Sequence, residues 1–121
     1  MSSIGMSLRQ TIEERARYRC SYCQSQMRIL GASLTVDHII PESLGGATTI
    51  ENLCLACWDC NLLKSNRITA IDPRSGMAVR IFHPNRQIWA EHFRWSVDGL
   101  RVIGITAIGR ATTATLRLNR P

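Results

Sequence analysis

The spacing of apolar and polar positions changes several times along the chain, and each change marks an element. Over residues 7–18, Leu8, Ile12 and Ala16 recur at helical spacing with Arg15 beside them, which predicts a helix with a buried stripe. Ser7 and Gln10 stand at its start in the spacing of a capping box. Residues 1–6 lack such a pattern and read as disordered, and residues 24–32 read as a connector broken at Gly31. Residues 34–39 alternate β-branched and other side chains, which predicts a short strand ended by Pro41. Residues 43–49, with Gly45-Gly46, predict a flexible loop. A second strand is expected over 50–55, with Ile50, Asn52 and Cys54 on one face and Glu51, Leu53 and Leu55 on the other. Residues 58–67 turn helical in composition.

The pattern changes character after Ile71. Turns at Asp72-Pro73 and Ser75-Gly76 precede an expected strand over 77–82, and residues 86–92 read as a short helix carrying Ile88 and Trp89. Residues 93–96 and 100–105 flank Asp98-Gly99, a hairpin turn signal. Thr106 is the expected cap of a last helix over 107–118, along which Ala111, Thr115 and Leu118 align. The sum is an α+β fold: a core over residues 1–71 and a small α+β extension over 72–121 packed on it, within a single domain.

Composition narrows the possibilities. A chain of 121 residues suits one domain with a modest core, for which a structural metal adds useful stability. Fifteen Lys and Arg against nine Asp and Glu give a net charge of +6, which suggests a polyanionic partner, nucleic acid first. The basic residues are spread from Arg9 to Arg120, so no continuous stripe can be traced along the sequence. No apolar run approaches the roughly 18 residues of a membrane span, and no basic-then-apolar leader opens the chain. A reducing, cytoplasmic setting is therefore expected, in which spaced cysteines are metal ligands rather than disulfides.

Four of the five cysteines form two Cys-x-x-Cys knuckles, Cys20 with Cys23 and Cys57 with Cys60. Two such pairs fit one closed, tetrahedral structural zinc site. Cys54 with Cys57 is a competing pair, but Cys54 falls within the expected strand and suits a small buried hydrophobe. Between the knuckles, Asp37 offers a hard oxygen ligand for Mg²⁺ or a similar ion, and His38 can take a proton from water near neutral pH. Asn61, on the first turn of the helix after Cys60, offers an amide oxygen, and Lys64 on the same face is a candidate phosphate contact.

Taken together, Asp37-His38-Ile39-Ile40-Pro41, Gly45-Gly46, Asn52-Leu53 and Cys57-x-x-Cys60-Asn61-x-x-Lys64 resemble the HNH endonuclease motif in its zinc-binding form. The likeness covers roughly residues 15–65, with Asn61 where the motif's third letter is His, an H-N-N variant. The stretch from Phe82-His83-Pro84 through Phe93, with Gly109-Arg110-Ala111-Thr112, resembles the tail of some bacterial, often cyanobacterial, members. The resemblance implies a ββα-metal, treble-clef-like nuclease core and a metal-dependent DNA endonuclease. It implies His38 as general base oriented by Asn52, one divalent ion (Mg²⁺ or Mn²⁺) on Asp37 and Asn61, and structural zinc on Cys20, Cys23, Cys57 and Cys60. Lys64 and Arg67 are the expected phosphate contacts. The competing expectation is a zinc-stabilised nucleic-acid-binding module without catalysis, which has no need of Asp37, His38 and Asn61 together.

Overall fold

The computed structural model describes residues 4–30 and 34–120. Helix α1 spans Met6–Arg15 and buries Ile12 completely, with Leu8 and Ala16 packed at the edge of the core. The expected capping box does not form. Gly5 is the N-cap, and Ser7 lies within the first turn with its carbonyl accepting a bond from the Thr11 hydroxyl. Of the residues expected to be disordered, 1–3 lie outside the described residues, whereas Ile4 packs against the core and Met6 is already helical. The α1 guanidinium of Arg9 donates to the Leu34 carbonyl, and that of Arg15 to the carbonyls of Ile50 and Leu53. These bonds fasten the helix to the segments around the central strand pair.

Arg17 and Tyr18, with φ of 55° and 56°, end the helix in a left-handed turn, and the chain enters the first knuckle. A four-residue helix, α2 (Met27–Leu30), occupies part of the expected connector, while Gly31 lies outside the described residues. Strand β1 (Thr35–His38) pairs antiparallel with β2 (Leu53–Ala56), in a register that sets Asp37 opposite Cys54 and His38 opposite Leu53. All four β2 residues are buried, so both faces of this strand are covered by packing. The second strand also begins later than expected, because Ile50–Asn52 winds into a 3₁₀ turn before it.

The intervening segment is a tight, bonded turn rather than a flexible loop. Glu42–Leu44 forms a 3₁₀ turn, and the amides of Leu44 and Gly46 both donate to the Pro41 carbonyl. Gly46 is required there: a Cβ at this position would lie 1.7 Å from the Ile40 carbonyl oxygen.

Helix α3 (Trp58–Lys64) starts on Cys57, whose Sγ accepts from the Cys60 amide, and stops at Ser65, earlier than the expected Arg67, because Ser65 takes a φ of 50°. Strands β3 (Thr69–Ile71) and β4 (Ala78–Arg80) pair antiparallel, so the expected division after residue 71 falls within this hairpin. Helix α4 (Trp89–His92) leads into β5 (Phe93–Trp95), which pairs with β6 (Val102–Gly104) across the Asp98-Gly99 turn as expected. Helix α5 (Ala107–Thr115) is capped by the Thr106 hydroxyl, which accepts from the Gly109 amide.

The C-terminal elements are bonded to the N-terminal ones at several separate points. The Asn85 amide donates to the carbonyls of Glu51 and Leu53 at 3.0 and 2.9 Å, and the Trp89 indole donates to the Tyr22 carbonyl at 3.0 Å. Phe82, Trp89 and Phe93 form an aromatic cluster, with Trp89 stacked on Phe93 at 5.0 Å and Phe82 edge-on to Phe93 at 5.2 Å. The buried Thr112 hydroxyl accepts the Phe82 amide, and buried Asp72 holds Arg110 of α5 through two bonds of 3.0 and 2.9 Å. The result is a small α+β fold of short antiparallel pairs around one hydrophobic cluster.

Candidate metal centre and active site

The sulfurs of Cys20, Cys23, Cys57 and Cys60 all lie within 4.8 Å of one another, and all four residues are buried. The two knuckles are built alike: the Cys23 amide points at Cys20 Sγ and the Cys60 amide at Cys57 Sγ. Each two-residue spacer turns tightly enough to present both sulfurs to one point. A bond from the Ser21 amide to the Leu55 carbonyl fixes the first knuckle to β2, from which the second follows directly. Within the cluster, hydrogen bonding from Cys20 holds the Cys23 thiol well below its ordinary range and brings Cys57 down to about 7, while Cys20 and Cys60 are raised. Four buried thiols of which some ionise readily form a donor set that fits a closed zinc site.

Cys54 stays outside this cluster, 3.7 Å from the Tyr22 hydroxyl, and burial pushes its thiol up to about 12. A charged group reaches the metal centre from the far end of the chain. Arg120 Nη2 donates to Cys57 Sγ at 3.2 Å and to Cys60 Sγ at 3.4 Å. Sequence reasoning missed it, because a lone arginine in a basic tail carries no signal of this kind.

Asp37 and His38 are the last two residues of β1, set opposite Cys54 and Leu53 of β2. Asp37 is buried, and its Oδ2 takes the Lys64 ammonium at 3.2 Å and the Tyr22 hydroxyl at 3.5 Å. Burial raises its carboxyl above the usual range, and the Lys64 charge opposes that rise. Lys64 is 1 % exposed and also donates to the His38 carbonyl at 3.0 Å. The expected role of Lys64 as a phosphate contact is therefore overturned: its ammonium points inward and is already paired. Arg67, by contrast, is exposed.

His38 is half-buried, with Nε2 2.9 Å from the Thr48 hydroxyl and 3.8 Å from a Glu42 carboxylate oxygen. Asn52 does not bond to the His38 ring. Its amide oxygen accepts from the Ile40 amide, and its nitrogen donates to the carbonyls of Ile40 and Ala47, each at 2.9 Å. Asn52 thus braces the turn that carries Thr48. Asn61, half-buried on α3 one turn before Lys64, makes no side-chain hydrogen bond among the described residues.

These features define a class: a small α+β domain with a four-cysteine metal centre, and a histidine and a buried carboxylate side by side on the adjoining strand. The family model for the HNH endonuclease matches residues 20–67, from the first cysteine of the cluster to just past α3. No curated protein and no solved structure shows a significant match to the chain. Among the described residues, no helix is long and apolar enough to cross a membrane.

Proposed function

We propose that the protein is a metal-dependent DNA endonuclease with a ββα-metal core formed by β1, β2 and α3, to which residues 72–121 are an extension. The single observation that carries this reading, beside the family match, is the setting of His38. Its ring sits at the end of β1 with Nε2 engaged by Thr48, and Nδ1 makes no hydrogen bond among the described residues. With the proton on Nε2 donated to Thr48, Nδ1 is the basic nitrogen, and it takes the proton from the attacking water. Asn52 acts one step removed, as a positioning residue that holds the turn and hence Thr48.

In this reading Asp37 and Asn61 would hold a hard divalent ion. Asp37 Oδ1 and the Asn61 amide oxygen take no hydrogen bond among the described residues, and Mg²⁺ or Mn²⁺ is commonly held by one or two protein oxygens with water and phosphate completing the shell. When bound, such an ion supplies Lewis-acid stabilisation of charge on the phosphate and the leaving oxygen. Zinc on the four cysteines has a structural part: it fastens α3, with Asn61, to the strand bearing Asp37 and His38.

The test is incubation of plasmid DNA with Mg²⁺ or Mn²⁺, with and without EDTA, for the wild type and His38→Ala. EDTA-sensitive cleavage should fall by about two to four orders of magnitude in the variant. Near-normal cleavage by His38→Ala rejects the base assignment. DNA binding without cleavage by the wild type would leave a zinc-stabilised binding module.

A further inference from the structure

Two adjoining cavities collect positive charge that the sequence scatters. The larger, about 650 Å³, is lined by Arg17, Arg19 and Arg28 together with Tyr18 and Trp89. The smaller, about 210 Å³, is lined by Arg67, Arg80 and Arg86 and reaches Ile39, the residue after His38. Phe82 and Gln87 line both, so the cavities are neighbours. No Asp or Glu lines either one.

The six arginines are exposed, and none makes an ion pair or a side-chain hydrogen bond among the described residues. Arg15, at the edge of the larger cavity, is different, since its guanidinium is used on the Ile50 and Leu53 carbonyls. Six uncompensated guanidinium groups around two neighbouring cavities repel one another and call for a polyanion. Burial and the nearby charges of Arg86 and Arg80 lower the basicity of His83 in the smaller cavity, in keeping with this field.

Aromatic surface separates nucleic acid from other polyanions. Tyr18 is 45 % exposed on the wall of the larger cavity. It is held there by the left-handed turn at Arg17 and Tyr18, two successive non-glycine residues in a conformation that L-residues seldom adopt. An exposed ring among arginines is the combination that binds unpaired bases without sequence preference. The larger cavity falls within the roughly 300–1,000 Å³ range of pockets that enclose small ligands, whereas a duplex presents a convex surface with its bases stacked inside.

We propose that the two cavities form one clamp for an unpaired nucleic-acid strand, with bases against Tyr18 and phosphates along Arg17, Arg19, Arg28, Arg67, Arg80 and Arg86. The direction of the strand, toward the His38 end of β1, rests on the nuclease reading. The preferred substrate class is then DNA with a single-stranded tail, flap or gap beside the duplex. The extension beyond residue 71 supplies Arg80 and Arg86, so it forms part of the binding surface.

The test is fluorescence anisotropy in EDTA with three probes: a blunt duplex, the same duplex with an unpaired tail, and the tail strand alone. Wild type should bind the tailed probe about tenfold more tightly than the blunt one, as expected for stacking of one base. Tyr18→Ala should abolish that preference and leave blunt-duplex binding in place. The Arg17→Gln, Arg19→Gln, Arg28→Gln triple variant should flatten the salt dependence for the tail strand by about two, at about 0.7 per phosphate lost. Thermal melting and zinc content check that each variant is folded. Equal wild-type affinity for blunt and tailed probes overturns the proposal, as does a folded triple variant that binds as the wild type does. Poly-glutamate binding as tightly as tailed DNA would assign the clamp to acidic protein and overturn it too. Tail preference without cleavage in Mg²⁺ would defeat the nuclease reading alone, and cleavage without tail preference would defeat this one alone.

Discussion

Arg120, at the end of the chain, donates a hydrogen bond from Nη2 to the sulfur of Cys57 at 3.2 Å, so the C-terminal segment closes over the metal centre. Four thiolates around Zn²⁺ carry a net charge of about −2, and a guanidinium beside them offsets part of it. The sulfurs of Cys60 and Cys57 raise the Arg120 guanidinium above its usual value although burial opposes its charge. Arg120→Ala should therefore weaken zinc binding by about 10- to 100-fold, the usual effect of removing a group that supports a metal ligand. Zinc release to a chromophoric chelator measures this, and an unchanged release rate would show that the contact has no bearing on the metal.

The Lys64–Asp37 pair predicts a different outcome. Both groups are buried, with side-chain exposures of 1 % and 8 %. Lys64→Met should destabilise the fold by about 3–5 kcal/mol, because it leaves a buried carboxylate without its counter-charge. Asp37→Asn combined with Lys64→Met should recover much of that loss. Chemical denaturation of the two variants gives both numbers, and a single variant as stable as wild type would contradict the burial of the pair.

Thr48 is the only side chain within hydrogen-bonding distance of His38 Nε2 among the described residues. If that bond orients the base, Thr48→Val should lower cleavage by about tenfold, the kinetic equivalent of one hydrogen bond. Thr48→Ser should restore it, and zinc content should stay unchanged in both. A Thr48→Val enzyme with wild-type turnover would leave His38 oriented by other means.

Asp72 sets the acid limit. The Arg110 guanidinium holds its carboxyl well below the ordinary range. A depressed folded value means that the stabilisation is complete above the unfolded value of about 3.9 and is lost as pH falls toward the folded one. Melting temperature should therefore drop as pH falls below about 4, and Asp72→Asn should be less stable at neutral pH with a flatter acid limb. An identical acid limb in wild type and variant would exclude this pair as its source.

Gly46 offers a steric test. A Cβ there meets the Ile40 carbonyl oxygen at 1.7 Å, far inside any contact distance, and the Asn52 amide at 2.8 Å. Gly46→Ala should displace the turn that Asn52 braces. Cleavage should fall together with stability, while the cysteine cluster keeps its zinc. Full activity in Gly46→Ala would show that the turn does not position His38.

Features that depend on neighbours along the chain are legible in the sequence alone. The two knuckles, the Asp98-Gly99 hairpin and the Thr106 cap each arise within a few residues, where backbone geometry and side-chain chemistry act locally. Even the exclusion of Cys54 follows from its place in a strand rather than a turn. The expected helix start fails for a local reason as well: the chain turns at Gly5, so Ser7 enters the helix too late to cap it.

What the chain could not reveal is where long side chains end up when elements pack. Lys64 shares a helical face with Asn61, yet the packing of α3 on β1 turns Lys64 inward onto Asp37. Asn52 lies near His38 in the fold, but the 3₁₀ turn at Ile50–Asn52 directs its amide to the backbone of Ile40 and Ala47. Arginines scattered from Arg17 to Arg86 read as diffuse charge until packing around Phe82 and Gln87 gathers six of them on two neighbouring cavities. Residue types and short spacings determined the cysteine cluster and the match to the HNH endonuclease model, because a chelating knuckle is a local structure. Tertiary packing decided which charges are spent inside the protein and which remain for a partner, because that depends on contacts between residues far apart in the chain.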